Sequence, residues 1–347
     1  MKKIDILSLN LSELEICMQE IGEKKFRAKQ IFQWLHVRQV EKFDDMSNIS
    51  LALRTKLSEI FCIKSLNIER KLESGIDNTV KYLYKLSDGM FVETVLMEYN
   101  HGTSICVSTQ VGCKMGCRFC ASTIAGFERN LEPSEILQQV YTTQRDSGRK
   151  ISGIVLMGIG EPLDNYKNVM KFLELVSCPD GYGLSLRHVT LSTCGIVPKI
   201  KELADKKLGL TLSVSLHCPD NEGRSEIMPI NKTYNINELI QATKEYIEKT
   251  GRRVTYEYAV IDGVNSDRKN AQALAHLIKG INCHVNLIPV NAVKERNYRS
   301  SRESAVSFMK MLTDMGINAT VRRTLGSDID AACGQLRREN KESGEQN

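Results

Sequence analysis

The chain predicts an α/β fold built on a parallel sheet, and three observations carry that prediction. From Ser104 onward short apolar runs alternate with stretches of helical periodicity, the alternation yields six strand–helix units, and the conspicuous polar and reactive residues fall just after the apolar runs. Repeated strand–helix units imply parallel strands joined by crossover helices. Six of them make either a doubly wound sheet or a barrel, complete or incomplete. The 347 residues suffice for a barrel-sized unit with a large core and a small accessory domain.

Each element follows from local pattern. Residues 1–62 form a helical accessory module: Ala28, Ile31, Phe32 and Leu35 recur at helical spacing, and Leu53, Leu57, Ile60 and Phe61 make a second amphipathic stretch. Lys24, Lys25, Arg27, Lys29 and Arg38 lie in or beside the first of these helices, either gripping phosphates or forming a solvated face. Residues 63–98 turn to strand-like alternation, with Val80, Tyr82, Tyr84 and the run 91–96 broken by Asp77-Asn78 and Asp88-Gly89 turn signals, so a β-hairpin extension is expected there. The main unit, 99–326, takes strands at 105–108, 154–157, 189–192, 210–215, 254–260, 284–288 and 319–324. Its helices begin near Pro133, Tyr166, Val197, Ile236, Arg268 and Ser301. The first has proline at its opening position, Glu135 soon after, and Ile136 and Val140 four apart. Residues 327–347 form a loop carrying Cys333 and a polar tail.

Composition excludes several classes. Eleven cysteines without a secretory leader argue against a disulfide framework, since Asp5, Glu13 and Glu15 interrupt the first apolar stretch; a reducing, cytoplasmic location is expected. No run approaches the roughly 20 apolar residues of a membrane span, so no membrane partner is expected. The net charge of +5 permits nucleic-acid binding, and the placement of basic residues matters more than their sum.

Chemistry is most concentrated at Cys113, Cys117 and Cys120, a CxxxCxxC spacing after the first strand, with aromatic Phe119 before the last cysteine. Thiolates bind iron and zinc tightly, and three of them leave one corner of a four-iron cluster without a protein ligand. A structural zinc site is the alternative, though it wants four ligands and often paired CxxC spacings, and no second pair exists here. Other notable residues also follow strands: Gly158-Ile159-Gly160-Glu161, Ser192, His217 and Asn291. Cys17, Cys62, Cys178, Cys194, Cys218 and Cys283 are expected to be structural.

Five segments extend the pattern: Ile105-Cys106-Val107-Ser108-Thr109-Gln110-Val111-Gly112-Cys113, Met157-Gly158-Ile159-Gly160-Glu161-Pro162-Leu163, Ser215-Leu216-His217, Met228-Pro229-Ile230-Asn231 and Asp328-Ile329-Asp330-Ala331-Ala332-Cys333-Gly334-Gln335-Leu336. With the CxxxCxxC loop they resemble the radical S-adenosylmethionine superfamily. Within it they resemble the bacterial ribosomal large-subunit methyltransferase N family, the dual-specificity adenine-C2 methyltransferases of 23S ribosomal RNA and transfer RNA. The resemblance covers most of the chain and implies a partial (β/α)6 radical-SAM barrel.

By that resemblance Cys113, Cys117 and Cys120 hold a [4Fe-4S] cluster, and S-adenosylmethionine chelates the fourth iron through its amino and carboxylate groups. The backbone around Gly160 and Glu161 meets that amino group, while Ser192, Ser215, Leu216, His217 and Asn291 line the rest of the ligand. Two S-adenosylmethionine molecules serve each turnover. Cys333 accepts a methyl group from one by polar substitution, and the second yields a 5′-deoxyadenosyl radical that takes a hydrogen from that methyl. The carbon radical then adds to adenine carbon 2, which is too electron-poor to attack a sulfonium methyl itself. Glu93 occupies the family position for the proton acceptor, and Cys106 resolves the RNA adduct by forming a disulfide with Cys333. A reduced flavodoxin or ferredoxin is implied as electron donor. The target RNA is single-stranded or locally splayed, and the chain is expected to be a monomer.

Without the resemblance, Cys106 is a core cysteine on an apolar strand, Glu93 a solvent-facing strand residue and His217 a satisfied strand-end histidine. Arg322, Arg323, Arg337 and Arg338 flank the Cys333 loop and are candidates for phosphate contacts. After Cys120 the chain reads Ala121-Ser122-Thr123-Ile124-Ala125-Gly126, where many relatives have a Thr-Gly pair; this departure bears on loop contacts, not on ligation. The sister group that methylates carbon 8 of the same adenine and confers antibiotic resistance shares the cluster and both cysteines. Gln110-Val111-Gly112-Cys113 and Gly160-Glu161-Pro162-Leu163 favour carbon 2, since that group tends to place cysteine before the glycine and alanine after the glutamate. A metal-stabilised RNA-binding protein without catalysis would need a fourth metal ligand and gives no reason for Cys106 and Cys333.

Overall fold

The computed structural model describes residues 3–290, 298–332 and 334–336. Its N-terminal part is helical, as the periodicity predicts. β1 (Ile4–Asp5) pairs in parallel with β2 (Phe61–Cys62), and between them run α1 (Leu11–Glu20), α2 (Phe26–His36) and α3 (Leu51–Ile60). Asn10 and Glu13 form a capping box on α1, and Ser50 caps α3. Ala28, Ile31, Phe32 and Leu35 are buried, and α2 reaches the main unit through His36, whose Nδ1 lies 3.0 Å from the Tyr141 hydroxyl. Of the five basic residues near α2, four are engaged within the protein. Lys25 pairs with Glu15 at 2.8 Å and Lys29 with Asp180 at 2.7 Å, while Arg27 and Arg38 lie over the rings of Phe26 and Trp34.

The hairpin strands are part of the main sheet. β3 (Asn67–Glu73), β4 (Val80–Lys85), β5 (Phe91–Tyr99) and β6 (Gly102–Cys106) pair antiparallel in succession, and β6 is also the first strand of the parallel run. A separate short hairpin, β7 (Gln110–Gly112) with β8 (Phe127–Asn130), carries the cysteine loop between its strands. There follow α4 (Pro133–Ser147), β9 (Ile151–Leu156), α5 (Tyr166–Ser177), β10 (Val189–Thr193), α6 (Val197–Asp205), β11 (Thr211–Ser215), α7 (Asn221–Ile227), α8 (Ile236–Thr250), β12 (Val254–Val260), α9 (Arg268–Leu277), β13 (Cys283–Pro289), α10 (Arg302–Asp314) and β14 (Ala319–Val321).

The ten strands lie in the order β14-β13-β12-β11-β10-β9-β6-β5-β4-β3, with β6 and β9 to β14 parallel. Strands that neighbour one another in chain order, each reached through a helix, give a β/α barrel. It is partial: β3 and β14 do not pair with each other among the described residues. Among those residues, no helix is long and apolar enough to cross a membrane.

Some elements depart from expectation. β6 stops at Cys106 because the Gln139 amide takes over at Ser108, accepting its N–H at 2.8 Å and donating to its carbonyl at 2.9 Å. β14 is shorter than predicted, although the Arg322 N–H still donates to Leu287 O at 2.8 Å. α7 was not foreseen; it is seven residues long, too short for a periodic signal, and opens on an Asp220 cap.

Candidate active site

The cysteine loop closes on a glycine. Gly112 has φ +75°, and a Cβ there would lie 1.8 Å from Gly126 O, a backbone atom that cannot swing aside. Beside it the Cys113 N–H donates to Gly126 O at 3.0 Å. Thr123 Oγ1 donates to the carbonyls of Cys120 at 3.0 Å and Cys117 at 3.3 Å, and the Arg118 N–H donates to Ile227 O at the end of α7. Cys113, Cys117 and Cys120 thereby face one cavity at the C-terminal ends of the parallel strands.

Burial pushes the Cys113 thiol up to about 12 and Cys117 well above the ordinary thiol range, and the neighbouring thiols add to it. Thiols so costly to ionise alone become thiolates on a cation, so the donor set suits iron. Cys194 also lines the cavity, but its thiol is hydrogen-bonded to Glu161. Among the described residues no three His, Cys, Asp or Glu side chains gather closely enough to hold a single metal ion. A cubane places its thiolates on separate irons and does not ask for that convergence.

The turn after β9 is built for close approach. A Cβ on Gly158 would meet the Val107 carbonyl at 2.7 Å, and one on Gly160 (φ +107°) would meet Gln110 Cβ at 2.6 Å. The Glu161 carboxylate is committed to the protein, accepting the N–H of Leu163 at 3.0 Å and of Cys194 at 2.7 Å, while burial pushes its carboxyl up against those bonds. Its side chain therefore shapes the loops, and Gly160 and Glu161 meet the cavity beside Ser192, Ser215 and His217. His217 has φ +59°, and its Nδ1 accepts the Ala259 N–H at 2.8 Å, which places the ring proton on Nε2. Burial holds it neutral, with its pKa lowered to about 3. Phe119 meets the same ring edge-on at 4.7 Å.

Leu216 does not line the cavity: it is fully buried in the core between Ser215 and His217. Asn291, Cys333, Arg337 and Arg338 lie outside the described residues. Glu93 is 2% exposed rather than solvent-facing, and its Oε1 lies 3.0 Å from Lys81 Nζ. Cys106 lines a smaller adjoining cavity with Val95, Met97, Ala331, Ala332 and Leu336, and the two cavities share Met157, Ile288 and Arg322.

The C-terminal loop is fastened to the cysteine loop. The Ala121 N–H donates to Gly334 O at 2.8 Å and Ser122 Oγ to Leu336 O at 2.8 Å. Gly334 lines the first cavity and Ala332 the second, so the two neighbours of position 333 border both.

Sequence reasoning missed Glu257. It lies on β12 and lines the cavity almost wholly buried, accepting from Ser213 Oγ at 2.6 Å and Asn286 Nδ2 at 2.9 Å. Arg322 Nη1 stands 3.9 Å from it and 3.4 Å from the Met157 sulfur, which makes Arg322 a cavity residue. A lone glutamate inside the strand-like run Val254-Thr255-Tyr256-Glu257-Tyr258 was the signal for it.

Fold and site together define a radical S-adenosylmethionine enzyme. Residues 107–275 match the Radical SAM superfamily, and residues 4–63 match the ribosomal RNA large subunit methyltransferase N-terminal domain. The chain is 53% identical over 341 residues to "Probable dual-specificity RNA methyltransferase RlmN" of Lachnoclostridium phytofermentans, covering 97% of this chain and 95% of that one. A protein of the same description from Clostridium botulinum is 54% identical over 96% of each chain. A crystal structure of a radical SAM methyltransferase from Sphaerobacter thermophilus superposes with a TM-score of 0.92 at 41% identity, covering 96% of this chain and 99% of that one. The chain belongs to the RlmN family of dual-specificity RNA methyltransferases.

Proposed function

We propose that this chain methylates carbon 2 of adenosine in 23S ribosomal RNA and transfer RNA, carrying the methyl group on Cys333. The supporting observation is the junction of the two cavities. One holds Cys113, Cys117, Cys120, Gly160, Glu161, Ser192, Ser215 and His217, the other Cys106, and the neighbours of Cys333 border both. When bound, the [4Fe-4S] cluster supplies an electron to S-adenosylmethionine, which serves both as methyl donor and as source of a hydrogen-abstracting radical. Cys113, Cys117 and Cys120 hold the cluster. The turn at Gly160 and Glu161, Ser192, the Ser215-Leu216-His217 segment and Asn291 seat S-adenosylmethionine, with the His217 Nε2 proton as a donor. Glu93 accepts the proton from carbon 2, and Cys106 releases the RNA by pairing with Cys333.

Residues 1–62 serve as an accessory RNA-binding module, 63–98 extend the sheet, 99–326 form the catalytic core and 327–347 present Cys333. A flavodoxin or ferredoxin supplies electrons to a monomeric, cytoplasmic enzyme. The test is anaerobic reconstitution with iron and sulfide, incubation with S-adenosylmethionine, reductant and bacterial RNA, and mass spectrometry of the nucleosides. 2-Methyladenosine is the expected product. 8-Methyladenosine, or protein carrying zinc and yielding no modified nucleoside, would overturn the proposal.

A further inference from the structure

Arg224 on α7 is the largest side chain among the described residues that is completely closed off from solvent. Every acceptor it meets is neutral. Its Nε donates to Leu216 O at 3.2 Å, Nη1 to Asn231 Oδ1 at 2.9 Å, and Nη2 to Cys194 O at 2.7 Å and Ser215 O at 3.1 Å. No carboxylate pairs with it among the described residues. The thiols of Cys194, Cys117 and Cys218 and the His217 ring lie close enough to act on it. A buried guanidinium without an opposite charge is unfavourable however well its hydrogen bonds are met.

The same guanidinium stands behind the wall of the cysteine site. Its bonds hold the ends of β10 and β11, where Cys194 and Ser215 line the cavity, and α7 ends on the carbonyl that receives the Arg118 N–H. A four-iron cluster on three thiolates is net negative, and more so once reduced. We propose that Arg224 is the buried counter-charge of that cluster: it positions the strand ends as the cavity floor, and its charge eases electron entry. This rests on cluster ligation by Cys113, Cys117 and Cys120. A purely structural latch would need the hydrogen bonds alone, whereas a counter-charge acts on the cluster's potential.

The two roles separate in an EPR-monitored redox titration, with iron counted, on anaerobically reconstituted wild type, R224Q and N231D. R224Q removes the charge. N231D keeps an oxygen at the Nη1 contact and sets a carboxylate there, at the cost of the bonds that Asn231 Nδ2 donates to Asn221 O, Asn221 Oδ1 and Ser225 Oγ. At the wild-type midpoint the reduced fraction in each variant should fall about tenfold relative to the oxidised, equivalent to a one-electron shift of about 59 mV downward. Wild-type midpoints at full iron content in both variants would overturn the counter-charge. Should R224Q fail to fold, N231D decides alone by the same criterion. A wild type that binds no iron would instead overturn the ligation on which the inference rests.

Discussion

Lys81 Nζ lies 3.0 Å from Glu93 Oε1, with both side chains nearly closed off from solvent. Sheet register sets this pair: Lys81 stands opposite Val95 on β5, diagonal to Glu93, within reach of a long side chain. The same ammonium donates to Asp330 O at 3.2 Å. One lysine therefore ties the proposed proton acceptor to the loop that leads to Cys333.

Removing either partner should have distinguishable results. K81M takes the ammonium away from a buried carboxylate and is expected to cost about 3 kcal/mol in urea unfolding. E93Q keeps the shape and should cost less stability while slowing formation of methylated nucleoside by about a hundredfold or more. Methylation of Cys333, followed by peptide mass spectrometry, should persist in E93Q. A wild-type rate of product formation in E93Q would remove Glu93 from the reaction.

Cys106 lines the cavity that adjoins the cysteine site, bordered by Ala331, Ala332 and Leu336 of the C-terminal loop. If it resolves the RNA adduct, C106A should load a methyl group on Cys333 and still attach RNA, but fail to release it. A labelled RNA band shifted to protein size on a denaturing gel is the expected readout. Free methylated RNA at the wild-type rate would assign the release step to another group.

One glycine close to the cysteines, Gly112, differs in kind from those at helix ends. G112A would set a methyl 1.8 Å from Gly126 O, and no side chain is there to yield. We expect a loss of at least about 2 kcal/mol and reduced iron uptake, from opening the β7–β8 hairpin. G148A is the control: Gly148 has φ +65° with nothing within 4 Å, so only the left-handed backbone is penalised, by about 1 kcal/mol. Equal effects in the two variants would show that the close approach at Gly112 is relaxed in solution.

What could be anticipated from sequence follows from the range of the interactions. The strand–helix alternation and the cysteine spacing are local, so they were legible. The placement of Leu216 was recoverable too, since successive residues at a strand end face opposite ways and Ser215 faces the cavity. The partners of Glu257 and Arg224 were not, because they come from other strands and the turns after them: Ser213 and Asn286 for one, Cys194, Ser215 and Leu216 for the other. The Lys81–Glu93 pair was hidden in the same way, needing the register of β4 on β5. Burial reversed the expectation for Glu93, which an alternating pattern alone leaves on the solvent face.

Acid stability should depend on His36, which joins α2 to Tyr141. Burial lowers its pKa from an ordinary 6.5 to about 3, and its Nε2 is buried without a hydrogen-bond partner. The unfolded chain therefore takes up a proton at this residue below about pH 6.5 while the native protein does not until about pH 3. The His36 contribution to stability is accordingly complete above that window and falls as pH drops through it, by about 1.4 kcal/mol per pH unit. Asp5 and Glu161, whose carboxyls burial pushes up, act in the opposite sense, so the comparison must be made against a variant that retains both. In urea unfolding between about pH 7 and about pH 5, H36F should lose less stability than the wild type, by about 2 kcal/mol at the acid end. Parallel curves for the two proteins would mean that His36 is protonated alike in the folded and unfolded chain, and that the contact between α2 and α4 opens at acid pH.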